Sequence, residues 1–249
     1  MSPLPSISAV LPAYNEVAVI ADVARRTEQA LRATGIVDLE VLVVDDGSTD
    51  GTGDAVRALG EAHPEITVVR HSHNRGYGAA LRSGFEAARC DAVFVMDSDA
   101  QFDPADIHLL LPHYRADTMV AGYRSPRNDS LLRRANHTAF FTVVRALFGP
   151  SLRDVNCAFK LFPRRLGVGL RSSGAMISTE LALRARHLGY LIVEVPVPHY
   201  ARTAGTPTGA NPRVVARAFG ELWQLRRDPV TLRDKAAAPD HDLGAERGR

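Results

Sequence analysis

Short apolar runs alternate with longer stretches whose apolar residues recur every three to four positions through the first half of the chain. The runs ISAVLPAY, LEVLVVDDG, ITVVRH, AVFVMDSD and TMVAGYR read as five strands of a sheet buried on both faces. Helical patterns fill the intervals over Glu16–Thr34, Thr52–Glu61, Tyr77–Arg89 and Ala105–Tyr114. Asn15 is the expected N-cap of the first helix and Gly35 its stop. Such alternation predicts an α/β fold, with right-handed crossovers, a mostly parallel sheet and helices on both faces. Ligands of these sheets bind beyond the carboxyl ends of the strands. There the sequence collects Tyr14, Asn15 and Glu16, then Asp45 and Asp46, then Asp97 and Asp99.

The pattern changes after Arg124. SPRNDS reads as a loop, Leu131–Phe148 as a helix, CAFKLF as a strand and MISTELALRARHLGY as a further helix. LIVEVPVPHY is a strand whose prolines place it at an edge or an end. ARTAGTPTGANP reads as a mobile loop before a helix ending near Arg227. Residues 228–249 lack apolar periodicity and read as a disordered tail. The expected organisation is therefore one domain over 1–227 with a donor half, about 6–124, and an acceptor half, about 125–227.

Composition narrows the classes without deciding between them. A net charge of +2 gives no case for nucleic acid, although arginines cluster at Arg124–Arg134, Arg164–Arg171 and Arg213–Arg233. Cys90 and Cys157 are too few for a disulfide framework and fit a reducing, cytoplasmic setting. The N-terminus lacks the basic start and long apolar stretch of a signal peptide. No segment approaches the ~20 apolar residues of a membrane span. The stripe Phe140, Phe141, Val144, Leu147 and Phe148 suits core packing, with docking on a membrane surface as the alternative.

The acidic strand ends carry the candidate chemistry. Asp-Asp-Gly-Ser at Asp45–Ser48 is a helix-capping turn, the acid pair of a phosphoacceptor domain, or part of a polar ligand site. Asp97 and Asp99 lie two residues apart and repel unless a cation or hydrogen-bond donors compensate them. Two such ends in one sheet favour a polar ligand with a metal. His71 and His73 read as surface-loop histidines. Asp154 reads as either a general base or a structural cap. Glu180 near a helix start is favoured there by the helix dipole alone.

LPAYNE, VVDDGSTDGT, NRGYGAALRSGFEAA and VMDSDAQFDP occur in the order and spacing of family 2 glycosyltransferases. The second half, with AGYR, RDVNCAFKLFPR and STELALRARHLGYLIVEVPVPHYAR, resembles the polyprenyl-phosphate hexosyltransferases, the dolichol-phosphate mannose synthase group. The resemblance spans roughly residues 6–225 and implies a GT-A, Rossmann-like fold. It implies inverting transfer of a hexose from a nucleotide-diphosphate sugar to a polyprenyl phosphate, with Mg2+ or Mn2+. The expected location is the cytoplasm, with peripheral contact at the inner face of the membrane as the alternative. By the same resemblance Pro12, Tyr14 and Glu16 line the nucleotide pocket, and Val44 and Asp46 contact base or ribose. Asp97, Ser98 and Asp99 stand where the family has Asp-x-Asp, and Gln101 matches a glutamine that helps hold the metal. Arg124 matches an arginine near the diphosphate, Arg202 one on the acceptor loop, and Glu180 a residue near the active site.

The chemistry suits such a role. A diphosphate leaving group needs its charge neutralised by a hard dication on carboxylates, and arginine adds forked donors for phosphate. One departure stands out: the acceptor loop has Pro207 and Thr208 where the family often has Ser-Lys. The rivals are a same-fold transferase using a soluble hydroxyl acceptor, a sugar-1-phosphate nucleotidyltransferase, and a non-catalytic nucleotide-sugar binder. The nucleotidyltransferase would carry a Gly-rich basic loop after the first strand, where this chain has PAYNE.

Overall fold

A computed structural model describes residues 4–125, 152–174 and 176–200. The helices expected at 131–148 and 211–227, the acceptor loop with Arg202, and the tail lie outside the described residues.

The five early strands form as β1 (Ile7–Ala13), β2 (Leu39–Asp45), β3 (Ile66–Arg70), β4 (Ala92–Val95) and β5 (Thr118–Arg124). The acceptor half adds β6 (Lys160–Pro163) and β7 (Leu191–Val197). They make one sheet in the order β3-β2-β1-β4-β6-β5-β7. β1 pairs in parallel with β2 and β4, β2 with β3, and β5 with β7. β6 alone runs against its neighbours, pairing Lys160 with Val95 of β4 and with Ala121 of β5. Among the described residues β7 is an edge strand, the place in a sheet where a proline such as Pro196 is tolerated.

Strand residues alternate between two cores. Ile7, Ala9 and Leu11 of β1 pack with Ile20, Val23 and Leu31 of α1 (Ile20–Ala33). Val56 of α2 (Thr52–Ala62) and Ile107 of the short α4 (Ile107–Leu110) join the same core. On the other face Val10, Val44 and Val95 meet Ala80, Leu81 and Phe85 of α3 (Tyr77–Ala87). Leu166 of α5 (Arg164–Gly167) and Leu181 of α6 (Ile177–His187) complete that face. Edge-to-face rings, Phe85–Phe162 at 5.4 Å and Phe94–Phe159 at 4.9 Å, lock β6 into both layers.

Three expectations need correcting. α1 starts at Ile20, with Val19 as its N-cap, rather than at Glu16 behind Asn15. Asn15 takes φ 55°, a left-handed turn that asparagine tolerates, and binds the turn after β2 instead. The helix expected over Ala105–Tyr114 is split into 3-10 turns at Pro104–Asp106 and Leu111–His113 around α4. Pro112 lacks the amide that would continue α4. CAFKLF enters the sheet only at Lys160.

Candidate active site

β1, β2 and β4 are neighbours and parallel, so their carboxyl ends open on one side of the sheet. The turn after β1 is laced to the turn after β2. Asn15 N donates to Ser48 Oγ (2.9 Å), Glu16 N to Thr52 Oγ1 (2.9 Å), and Thr49 N to Asn15 Oδ1 (3.0 Å). Tyr14 is exposed on this rim and Pro12 is buried beneath it.

The two aspartates after β2 do different work. Asp45 is fully buried; its Oδ1 accepts from Ser48 N at 2.8 Å and its Oδ2 lies 3.2 Å from Arg70 Nε. Asp46 is 3% exposed and reaches the loop between β3 and α3. It accepts from His71 Nδ1 (2.7 Å), Arg75 N (2.9 Å) and Gly76 N (2.8 Å). His71 Nε2 sits 2.9 Å from Ser83 Oγ on α3. His71 is therefore buried, correcting its reading as a surface-loop histidine: the carboxylate supplies the polar partner that permits burial. Gly47 is required where the two turns meet, since its φ is 73° and a Cβ would fall 2.4 Å from the His73 backbone. Val44 is fully buried, with its side chain in the α3-side core.

β4 delivers the acidic pair. Ser98 Oγ lies 2.6 Å from both Pro12 O and Glu16 Oε2, tying β4 to the end of β1. Asp97 Oδ1 accepts from Tyr77 Oη at 3.0 Å, at the start of α3. Burial, and after it the charge of Asp99, pushes the Asp97 carboxyl up to about 7. Glu16 adds to that push, while the Tyr77 hydroxyl and Lys160 oppose it. Tyr77 is 39% exposed as a residue, yet desolvation of its hydroxyl and the charge of Asp97 drive that hydroxyl well above its usual range. Asp99 is buried and accepts from Gln101 N at 3.1 Å, across an Ala100 held at φ 59°. Gln101 Nε2 donates to Tyr200 O (3.2 Å) and Tyr200 N to Gln101 O (2.9 Å), which fastens the chain after β7 to this loop.

A divalent cation fits here. Two carboxylates and an amide are hard oxygen donors, and a dication would offset both the burial and the Asp99 charge that raise Asp97. Among the described residues no group of three or more His, Cys, Asp or Glu side chains is arranged to hold a metal. The remaining ligands would have to come from substrate.

The acceptor half contributes three charged groups that sequence reasoning treated separately or missed. Arg124, at the end of β5, grips Asp154 through Nε–Oδ2 at 2.7 Å and Nη2–Oδ1 at 3.1 Å. Glu180 is fully buried and accepts from Arg171 N (2.9 Å) and Ser172 N (2.7 Å). The loop it holds packs on α3, where Ser173 O accepts from Ala79 N at 3.1 Å. Lys160, unremarked in the sequence, is 1% exposed and donates through Nζ to Cys157 O. Burial lowers its pKa, against the pull of Asp154 and Asp97. The signal that could have found it is a lysine in the middle of an apolar strand.

Residues 8–167 match the model of Glycosyl transferase family 2. The chain belongs to this family. Curated relatives include undecaprenyl-phosphate 4-deoxy-4-formamido-L-arabinose transferases. That of Pseudomonas fluorescens is 28% identical over 92% of this chain and 68% of its own length. That of Pseudomonas paraeruginosa is 30% identical over the same shares. Among solved structures, glucosyl-3-phosphoglycerate synthase from Mycobacterium tuberculosis, with Mn2+, UDP-glucose and phosphoglyceric acid, superposes with TM-score 0.69. It is 23% identical, covering 90% of this chain and 81% of that one. Mannosyl-3-phosphoglycerate synthase from Rubrobacter xylanophilus gives TM-score 0.64 at 18% identity, covering 91% and 75%. The protein is a glycosyltransferase of the GT-A fold. No helix among the described residues is long and apolar enough to cross a membrane.

Proposed function

We propose that this protein moves a hexose from a nucleotide-diphosphate sugar to a polyprenyl phosphate, with inversion, using Mg2+ or Mn2+. The observation that carries the reading is the placing of Asp97 and Asp99 together beyond the end of β4, where burial and then the charge of Asp99 lift Asp97 to about 7. The names of the curated relatives support the lipid-phosphate acceptor. The metal, bound by Asp97, Asp99 and Gln101, would neutralise the charge of the departing nucleoside diphosphate.

The residues of the chain do the rest. Pro12, Tyr14 and Glu16 on the β1 rim would border the nucleotide, with Ser98 holding Glu16 in place. Asp46 would act by shaping the 71–76 loop beside that rim. Arg124, oriented by Asp154, would add positive charge for the diphosphate, and Arg202 would do so from the acceptor loop. A lipid phosphate needs no strong base, because a monoester's second pKa is about 6 and its oxygen is already ionised. Attack then depends on positioning and on stabilising the leaving group. With an undecaprenyl-type acceptor, the work would be done at the inner face of the membrane.

A soluble hydroxyl acceptor is the second reading, favoured by Pro207 and Thr208 in the acceptor loop. It would require a general base. Asp154, the candidate, has both oxygens committed to Arg124, which makes it a poor proton acceptor. The deciding experiment is a melting-temperature panel of UDP-, GDP- and dTDP-sugars with Mn2+. The donor that stabilises most is then assayed with a short polyprenyl phosphate and with simple soluble hydroxyl acceptors. Transfer to the lipid phosphate supports the first reading, and transfer only to hydroxyls replaces it with the second.

A further inference from the structure

A lysine in the middle of a sheet is costly, because its ammonium loses water and needs both acceptors and countercharge. Lys160 pairs across β6 with Val95 and Ala121, and the partners in such pairs share a face. Val95 and Ala121 face the α3 side, and so does Asp97, two residues beyond Val95. Tyr77 of α3 reaches Asp97 from the same side. Lys160 thus lies on the face where the acidic pair, the start of α3 and the turn before β6 meet.

That turn gives the lysine a second connection. Cys157 N donates to Asp154 O at 3.0 Å, closing a turn whose first residue holds Arg124. Lys160 Nζ donates to the carbonyl of the turn's last residue, Cys157. A hydrophobic residue would fill the strand position but would leave the Cys157 carbonyl without this donor.

We propose that Lys160 is a positioning residue for the transfer reaction: its ammonium clamps the Asp154–Cys157 turn, and with it the Asp154–Arg124 pair, on the sheet face that also carries Asp97. It touches neither donor nor acceptor. Its clamp keeps the guanidinium of Arg124 in one orientation, and its charge limits the negative field of the acidic pair. The inference rests on the function proposed above.

The two roles separate under substitution. Lys160→Gln keeps an amide donor for the Cys157 carbonyl and removes the charge. Lys160→Met removes both at similar volume. Both are compared with the wild-type protein by Mn2+ titration without nucleotide, at pH 8, and by steady-state transfer to a short polyprenyl phosphate. With the fixed cation gone, Mn2+ should bind roughly 3- to 30-fold more tightly in either variant. Turnover per folded molecule should fall on the order of tenfold or more in Lys160→Met and less in Lys160→Gln. Tighter metal with slower transfer is a combination that a merely structural lysine would not give. If Lys160→Met does not fold, Lys160→Gln still reads the charge effect. Mn2+ affinity within twofold of wild type in the folded variants, with unchanged kcat, would overturn the inference. Absence of transfer by the wild-type protein would instead strike the proposed function and leave the Mn2+ titration as the test of the charge role.

Discussion

Replacing Asp46 with alanine removes one carboxylate that holds three donors inside the protein: His71 Nδ1 at 2.7 Å, Arg75 N at 2.9 Å and Gly76 N at 2.8 Å. Hydrogen bonds to a charged acceptor contribute about 1.5–3 kcal/mol, and the low end applies where water can reach the freed amides of a loop. Three bonds at about 1.5 kcal/mol each give an expected loss of about 4.5 kcal/mol for Asp46→Ala. Asp46→Asn keeps one acceptor oxygen for His71 and Arg75 and turns an amide toward Gly76 N. It should cost less, about 1.5–3 kcal/mol. Urea unfolding at unchanged slope measures both losses. Hydrogen exchange should show the Arg75 and Gly76 amides opening before the rest of the sheet. The same change should loosen Tyr77, next along the chain, and so its bond to Asp97. A loss below about 1 kcal/mol for Asp46→Ala, or an Asn variant less stable than the Ala one, would refute the reasoning.

Asp97 gives a pH signature. Its folded pKa is raised to about 7, so the stability this group contributes is present below the ordinary carboxylate range and is lost as pH rises through 7. Asp97→Asn should therefore raise the melting temperature of the metal-free protein more at pH 8 than at pH 4.5; an equal shift at both would contradict the raised carboxyl. Wild-type affinity for Mn2+ should weaken as pH falls below 7, because the metal must displace the Asp97 proton; a titration flat from pH 8 to 6 would count against it. Arg124→Ala takes the guanidinium from a buried carboxylate and should cost about 3 kcal/mol or more in urea unfolding, with a loss under 1 showing that the pair holds little.

The parallel half of the fold was legible because β1, β2 and β4 are covered on both faces and read as unbroken apolar runs. The place of β6 was not. A strand inserted antiparallel between β4 and β5 depends on pairing to partners distant in the chain on both sides, Val95 and Ala121 against Lys160, which local pattern does not encode. Asn15 looked like a helix cap because asparagine suits both caps and left-handed turns. Only the neighbouring turn at Ser48 and Thr49 decides between them.

At the site, the Asp97–Asp99 pair was visible from its spacing, and so was its position at a strand end. The division of labour between Asp45 and Asp46 was not, since adjacent residues point to opposite sides and their partners, Arg70 and His71, come from the end of β3 and the loop after it. Lys160 escaped notice because a lysine among apolar residues reads as an exposed edge. Its burial follows from the antiparallel insertion of β6.

The central claim is that the acidic pair at the end of β4 supports sugar transfer from a nucleotide diphosphate to a lipid phosphate. The most direct measurement is mass detection of the lipid-linked sugar after incubating the protein with Mn2+, its preferred nucleotide sugar and a short polyprenyl phosphate. Parallel reactions contain a chelator or the Asp99→Asn variant. The account predicts product in the complete reaction and a drop of at least about a hundredfold in both controls, the scale of losing several kcal/mol of leaving-group stabilisation. Equal product with chelator or with Asp99→Asn, or no product from any donor, would contradict it.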